Sequence, residues 1–369
     1  MTNSEALQAS NPLGTLRRLR VSGFTVFSEQ TIEFAKGVNV IVGENGTGKS
    51  HLLRLAYAAS KALYPTQAGK PLVGKEAVSK AIAEKLIAVF LPDSLGRLCR
   101  RGPGRQRAEV ALDFSPPGAK KSHELSFSFS TNSVSAVVLT EFPEPPKTGQ
   151  GSPIFLPTRE IISLLPEFVS TYLNTNTRFD ETYYDLALSL VGGLKPGKRP
   201  DAVNALVDPL EKAMDGKIYL EHSGRVYLKT GSGGNIEMPL LAEGLRKVAM
   251  LAFLILNGSL ARHGTIYWDE PETNLNPKLM TGLAKTLVDL ASKGAQVIVA
   301  THSLFLTREI AYLLDRGTHA SKARYFSLVK KDGQIRIESA DHADDLADVA
   351  VLEAAIDQDT RLEETYWQN

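Results

Sequence analysis

The sequence predicts an α/β protein: a parallel sheet carrying a Gly-rich loop, joined by an antiparallel β subdomain and a helical insertion lobe. Three observations lead there. An apolar run, Val38 to Val42, enters GENGTGKS (Gly43 to Ser50) and is followed by helical spacing at Leu52, Leu53, Leu55, Ala56 and Ala59. From Gly244 to Leu314, helical and apolar strand patterns alternate, as in a parallel sheet. From Ala108 to Leu139, residues alternate at period two, as in antiparallel strands.

Taken in order, Leu16 to Phe34 reads as two short strands and a turn. After the Gly-rich loop and its helix, Pro65 to Lys75 is a Pro/Gly/Lys-rich loop, and Glu76 to Phe90 is helical. Strands are expected at Ala108 to Phe114, Glu124 to Ser130 and Ser133 to Leu139. Pro143 to Pro153 reads as a linker or surface loop. A strand at Ile154 to Leu156 opens a helical stretch from Glu160 to about Met214, broken by Gly192, Gly193, Pro196, Gly197 and Pro200. It holds no long heptad run, which argues against a long coiled-coil arm. Further strands fit Lys217 to Glu221, Arg225 to Thr230 and Ile236 to Met238. Then follow helix Gly244 to Leu256, strand Thr265 to Trp268, helix Pro277 to Ala291, strand Gln296 to Ala300 and helix Ser303 to Leu314. A hairpin at Arg324 to Ser339 and an acidic helical tail close the chain. The expected segments are an N-terminal lobe (1–156), a helical lobe (157–216), a C-terminal lobe (217–340) and the tail (341–369).

Composition bounds the partners. Lys+Arg of 42 against Asp+Glu of 41 gives a net charge of +1, so no global field draws the chain to nucleic acid or membrane. One cysteine, Cys99, excludes an intramolecular disulfide framework. The polar start and the shortness of the longest apolar stretch, Val248 to Leu256, give the expectation of a cytoplasmic protein without membrane contact.

GENGTGKS matches G-x-x-x-x-G-K-[ST] between a strand and a helix, the context in which that pattern cradles phosphate. Gly43, Gly46 and Gly48 let backbone amides approach an anion, and the helix N-terminus adds its dipole. Glu44, Asn45, Thr47 and His51 complete the candidate nucleotide contacts. Lys49 is expected to reach the β- and γ-phosphates, and Ser50 to offer its hydroxyl to Mg²⁺. A second strand, Thr265 to Trp268, runs into Asp269 and Glu270. Mg²⁺ prefers oxygen ligands, so Asp269 is the candidate metal-side acid, and Glu270 the candidate base for an attacking water. One β/α unit later, Val297 to Ala300 ends in Thr301, His302 and Ser303, which places His302 to sense a γ-phosphate. ATP and Mg²⁺ are the implied ligands.

The set GENGTGKS, LAEGLRK, YWDEPETNLNP and ATHS resembles the ABC-type ATPase head of the OLD, RecF and SMC-like group, nearest to the OLD-type ATPases of bacterial anti-phage defence. The resemblance covers about Leu16 to Ser60 and Leu240 to Leu314. It implies that Ala242, Glu243 and Gly244 form a signature motif capping the γ-phosphate of the opposite subunit. It also implies that Asn274, with Leu275, Asn276 and Pro277, forms a loop crossing the dimer interface. A homodimer or higher homo-oligomer with ATP buried between subunits follows. So does an effector protein, a nuclease, as partner. Two departures stand out. Ala242 replaces the family's serine, and PTRE after Leu156 lacks the family's glutamine, so that Arg159 or Glu160 either takes over that contact or is structural.

Arg97, Arg100, Arg101, Arg105 and Arg107 lie in a Gly/Pro-containing stretch with no acid between them. They are candidate nucleic-acid phosphate contacts, although without interleaved aromatics the stretch reads more readily as a solvated or partner-facing loop. The tail acids, Asp341 to Glu363, fit an acidic helical face better than a nuclease metal site. Two further functions remain: a RecF-type repair ATPase that clamps DNA, and the nucleotide-binding subunit of a transporter.

Overall fold

The computed structural model describes residues 11–65, 72–116, 118, 122–175, 179–194, 198–221, 224–231, 233–315, 322–346, 358 and 360–361. Most of the expected acidic helical tail lies outside the described residues.

The antiparallel part opens with β1 (Thr15–Phe24) and β2 (Phe27–Glu33), and continues after the loop with β4 (Arg107–Ser115), β5 (His123–Ser130) and β6 (Val138–Glu141). These make a five-stranded sheet in the order β2-β1-β4-β5-β6. The last strand begins later than its sequence pattern predicts. Ser133 closes a turn instead, its N–H donating to Ser130 O (2.8 Å) and its hydroxyl accepting from Ser130 N (3.0 Å).

The central sheet has six strands. They are β3 (Val38–Gly43), β7 (Ile154–Leu156), β11 (Thr265–Asp269), β12 (Gln296–Thr301), β13 (Ala323–Lys331) and β14 (Gln334–Ala340), in the order β14-β13-β3-β12-β11-β7. All neighbours are parallel except the closing hairpin β13–β14. Strands β3, β11 and β12 are buried along their whole length, as expected for a sheet covered on both faces. Their residues alternate between two cores. Val38, Val40, Trp268 and Val299 face one, while Ile41, Tyr267 and Ile298 face the other.

Helices fill both sides. On the face shared with the antiparallel sheet lie α1 (Lys49–Lys61) and α2 (Lys75–Phe90). The opposite core gathers α3 (Phe168–Asn174), α4 (Glu181–Leu190), α5 (Asp201–Met214), α6 (Glu243–Leu256), α7 (Pro277–Ser292) and α8 (Leu304–Asp315). With them packs a small antiparallel sheet of β8 (Gly216–Leu220), β9 (Val226–Thr230) and β10 (Asn235–Glu237). The helical stretch thus shares one continuous core with α6 and α7. Gln296, fully buried, stitches the two large sheets together: its side chain accepts from Leu16 N (2.9 Å) and donates to Leu16 O (2.7 Å) and Ala35 O (2.9 Å). A buried amide bonded on both sides costs little and fixes register. No helix among the described residues is long and apolar enough to cross a membrane.

Parallel pairing aligns the carboxyl ends of the central strands. Val42 pairs with Thr301, Ala300 with Asp269, and Trp268 with Leu156. Ligands of open α/β sheets bind outside that edge.

Candidate nucleotide-binding site

The loop after β3 turns at Gly43, Gly46 and Gly48. Gly48 has φ 95°, and a side chain there would also meet Phe27 Cζ at 2.5 Å, so both conformation and space call for glycine. Thr47 Oγ1 donates to Glu44 O (2.8 Å) and closes the loop, leaving Glu44, Asn45 and Gly46 exposed at its crest. Lys49 begins α1 and bends back over the loop, its ammonium donating to Gly43 O (2.7 Å) and Glu44 O (2.9 Å). Burial lowers its pKa, opposed by Glu270, Asp269, Glu272 and Glu44. The ring of His51 packs edge-on against Phe90 rather than toward the loop, which leaves its backbone amide as what it can offer a phosphate.

Ser50 Oγ donates to Asp269 Oδ1 at 2.9 Å. That bond joins two segments more than two hundred residues apart. Burial raises the Asp269 pKa, while the Ser50 hydrogen bond, Arg54 and Lys49 lower it. Glu270 follows in a left-handed conformation (φ 48°), held by its own N–H on Ala300 O (2.8 Å). Such a conformation is rare for a non-glycine residue and turns the carboxylate away from the strand direction. His302 sits just beyond β12, its Nδ1 3.6 Å from Glu270 Oε1 and 3.3 Å from Glu272 Oε1, with half of its side chain exposed.

The residues fit a Mg²⁺-nucleotide. A serine hydroxyl and a carboxylate meet beside a lysine and a row of turn glycines, and Mg²⁺ bound through one or two such oxygens completes its shell with phosphates and water. Among the described residues no cluster of three or more His, Cys, Asp or Glu side chains could hold a metal by itself, and this mode of binding needs none.

Two residues that sequence reasoning passed over shape the site. Buried Glu272 accepts from Thr301 Oγ1 (2.6 Å) and from His302 N (3.0 Å), so it fixes the strand end that carries His302. Lys247 on α6, 1 % exposed, donates to Glu270 O (3.3 Å) and Thr273 O (2.9 Å). Burial drives its pKa down to about 8 against the pull of Glu272 and Glu243. It ties the turn carrying the acids to the helix of LAEGLRK.

That helix starts at the second place of interest. Ala242 occupies the N-cap with no side-chain cap, Glu243 begins α6, and Gly244 lies buried in its first turn. A Cβ on Gly244 would lie 2.2 Å from Asn274 O, and Asn274 itself is left-handed (φ 65°). Gly244 and the Asn274 turn are therefore packed against each other within one subunit. Asn276 caps α7 by accepting from Leu279 N (3.0 Å).

Glu160, left open between two roles by the sequence, is 8 % exposed. It accepts from Ser163 N (3.1 Å) and Ser163 Oγ (2.7 Å) and pairs with Arg246 Nε (3.1 Å) of α6. Its carboxylate is engaged structurally, and Arg159 beside it is exposed. The arginine stretch is less unopposed than its sequence reads. Arg97 pairs with Asp93 (3.7 Å) and Arg107 with Glu109 (3.3 Å), while Arg105 donates to Ser130 Oγ (3.2 Å).

A family model described as "AAA domain, putative AbiEii toxin, Type IV TA system" matches residues 101–308, more than half of the chain. The chain belongs to that family. A second AAA-domain model matches residues 18–56 of this AAA-family chain, the stretch holding the phosphate loop. The DNA replication and repair protein RecF of Limosilactobacillus fermentum is 27 % identical over 168 residues, which is 45 % of this chain and 41 % of that protein. The chain thus matches well under half the length of that curated relative. In fold, the AAA-family chain is similar to the Pyrococcus furiosus Smc head domain with an extended coiled coil, bound to the C-terminal domain of ScpA. The TM-score is 0.54 at 14 % identity, covering 94 % of this chain and 99 % of that one. It is similar also to an SmcHead bound to the C-winged helix domain of ScpA (TM-score 0.54, 14 % identity, 88 % and 97 % covered). The architecture is an SMC head-like ATPase fold. The finer likeness to OLD-type proteins has no counterpart among these relatives.

Proposed function

We propose that the protein binds and hydrolyses ATP with Mg²⁺, and that it works as a two-subunit switch closed by ATP. The observation that carries this reading is the Ser50–Asp269 hydrogen bond of 2.9 Å, which sets the phosphate loop against the acid-bearing strand with Glu270 and His302 alongside. Gly43, Gly46, Gly48 and Lys49 hold the phosphates. Ser50 and Asp269 hold Mg²⁺, which when bound neutralises charge on the phosphate oxygens. Glu270 orients and deprotonates the attacking water, and His302 donates to the γ-phosphate region. Ala242, Glu243 and Gly244 present the amide end of α6 to a phosphate held by a second subunit. Asn274, packed on Gly244, moves with it. A two-fold pair completes both sites by the same contacts.

In the finer reading, the closed pair holds or releases a separate effector, a nuclease, in anti-phage defence. Support for it comes from the four-motif resemblance. A second reading is a RecF-type ATPase that clamps DNA. It is favoured by the partial match to RecF and by Arg100, Arg101 and Arg105, for which no ion pair is found among the described residues. ATP-dependent DNA binding that weakens steeply with salt supports the clamp; its absence, with capture of a protein partner, supports the effector switch. The nucleotide assignment is tested by Lys49→Ala, which removes the ammonium bonded to Gly43 O and Glu44 O. Calorimetric titration with ATP should show binding lost, and retained tight binding overturns the assignment.

A further inference from the structure

We propose that the cleft between α1, α2 and α4 is a second ligand site, taking a small hydroxylated anion such as a sugar phosphate or a hydroxycarboxylate. The cleft has a volume of about 740 Å³, room for such a molecule, and it is walled by Lys61, Lys85, Asp185, Ser189, Arg262 and His263. Lys61 is the last residue of α1, about 18 Å along the helix from Lys49 at 1.5 Å per residue. The cleft is therefore separate from the phosphate loop, and this inference does not rest on the nucleotide reading.

The lining sets Lys61, Lys85, Lys147 and Arg262 against Glu84, Glu181 and Asp185, an excess of one positive charge. Asp185 is satisfied by Lys85 Nζ (2.6 Å) and Tyr57 Oη (2.5 Å), and Glu181 by Lys85 (3.0 Å). Lys85 is thus the cation that the two partly buried acids share. Lys61 is left with one long hydrogen bond, 3.4 Å to Ser152 Oγ, and among the described residues it makes no ion pair. An ammonium carries three donors, so two remain for an occupant of the cleft. Arg262 donates to Ser259 Oγ (2.9 Å) and makes no ion pair among the described residues, and Lys147 stands exposed at the same rim. Burial lowers the Lys61 pKa and the nearby Asp185 and Glu181 oppose that shift, yet among the described residues Lys61, Lys147 and Arg262 form no direct ion pair, an arrangement that suits a phosphate or carboxylate head.

His263 adds the hydroxyl preference. Its Nδ1 lies 2.7 Å from Ser152 O, a carbonyl that can only accept, so Nδ1 carries the proton. Burial holds the ring neutral, with its pKa driven down to about 3. Nε2 is then an acceptor, with Ser189 Oγ 3.5 Å away. A neutral acceptor beside Lys61 and Arg262 recognises a molecule that brings both a hydroxyl and an anionic group.

The test uses the full chain carrying Lys49→Ala, so that the phosphate loop cannot account for the signal. Ribose 5-phosphate and citrate are titrated calorimetrically, with ribose as the neutral control. At least one of the two anions should bind while ribose does not. Adding Lys61→Gln should weaken that binding about tenfold or more, the usual size of one lost charge-assisted contact. Arg262→Gln, at an exposed position, carries the same test should Lys61→Gln fail to fold. Binding of neither anion overturns the proposal, and so does anion binding unchanged by both substitutions.

Discussion

Gly244→Ala puts the smallest possible obstacle at the contact between the start of α6 and the Asn274 turn. The added Cβ would lie 2.2 Å from Asn274 O and 3.2 Å from Leu275 Cδ2, whereas ordinary contact begins at 3.4 Å. The obstructing atom is backbone, so no rotamer change relieves it, and the turn must retreat by more than 1 Å. Overpacking of this kind costs about 1–3 kcal/mol. Replacing glycine by alanine in a helix returns up to about 1 kcal/mol through propensity. The net expectation is a loss of roughly 0–3 kcal/mol, seen as a drop in melting temperature, with the fold intact. The functional loss should be larger, because Asn274 and Gly244 are the surfaces proposed to meet the second subunit. ATP binding to the isolated subunit should stay near wild type, since Lys49 and Ser50 lie elsewhere, while ATP-driven association measured by sedimentation velocity should be lost. A Gly244→Ala protein that associates with wild-type affinity would refute the role given to this contact.

Two other outcomes follow from neighbouring residues. Ala242 has N-cap dihedrals (φ −59°, ψ 145°) and no capping side chain, so Ala242→Ser should stabilise the protein by roughly 1 kcal/mol in thermal unfolding; no gain would mean that α6 begins elsewhere. Lys247 is 1 % exposed with its pKa lowered from 10.5 to about 8, so between these values the unfolded chain binds more protons and stability contributed by this group rises with pH. The full difference is on the order of 3 kcal/mol. Below about pH 8 the folded protein carries the whole cost of a buried ammonium. The melting temperature of wild type minus that of Lys247→Met should therefore climb from pH 7.5 to 9.5, and a flat difference would show that Lys247 stays charged.

Much of the site was legible in the sequence because its parts are local. GENGTGKS holds its glycines, Lys49 and Ser50 in eight consecutive residues, and Asp269 and Glu270 end a run too apolar to be anything but a buried strand. The strand pattern also gave their place at the sheet edge, since parallel strands bring such ends together. What escaped depends on long-range contacts. Glu272 looks like one more acid in a turn, and only the pairing of β11 with β12 brings it to Thr301 and His302. Lys247 reads as an ordinary helix lysine until the Glu270–Asn274 turn folds over it. Glu160 could be assigned to Arg246 and Ser163 only after β7 and α6 were placed. The cleft at Lys61 has no sequence signal at all, because its walls come from α1, α2, α4 and the segments around Lys147 and Arg262.

The central claim is that Glu270 is the base of a site completed by a second subunit. It is tested most directly by the mass of Glu270→Gln in ATP and Mg²⁺, measured by light scattering on a sizing column. The substitution keeps shape and removes the base, so ATP should remain bound and uncleaved. The expected result is a persistent species of at least twice the monomer mass, absent without ATP and absent when Lys49→Ala is added. A Glu270→Gln protein that stays monomeric with ATP bound, or that turns ATP over at the wild-type rate, would contradict the account.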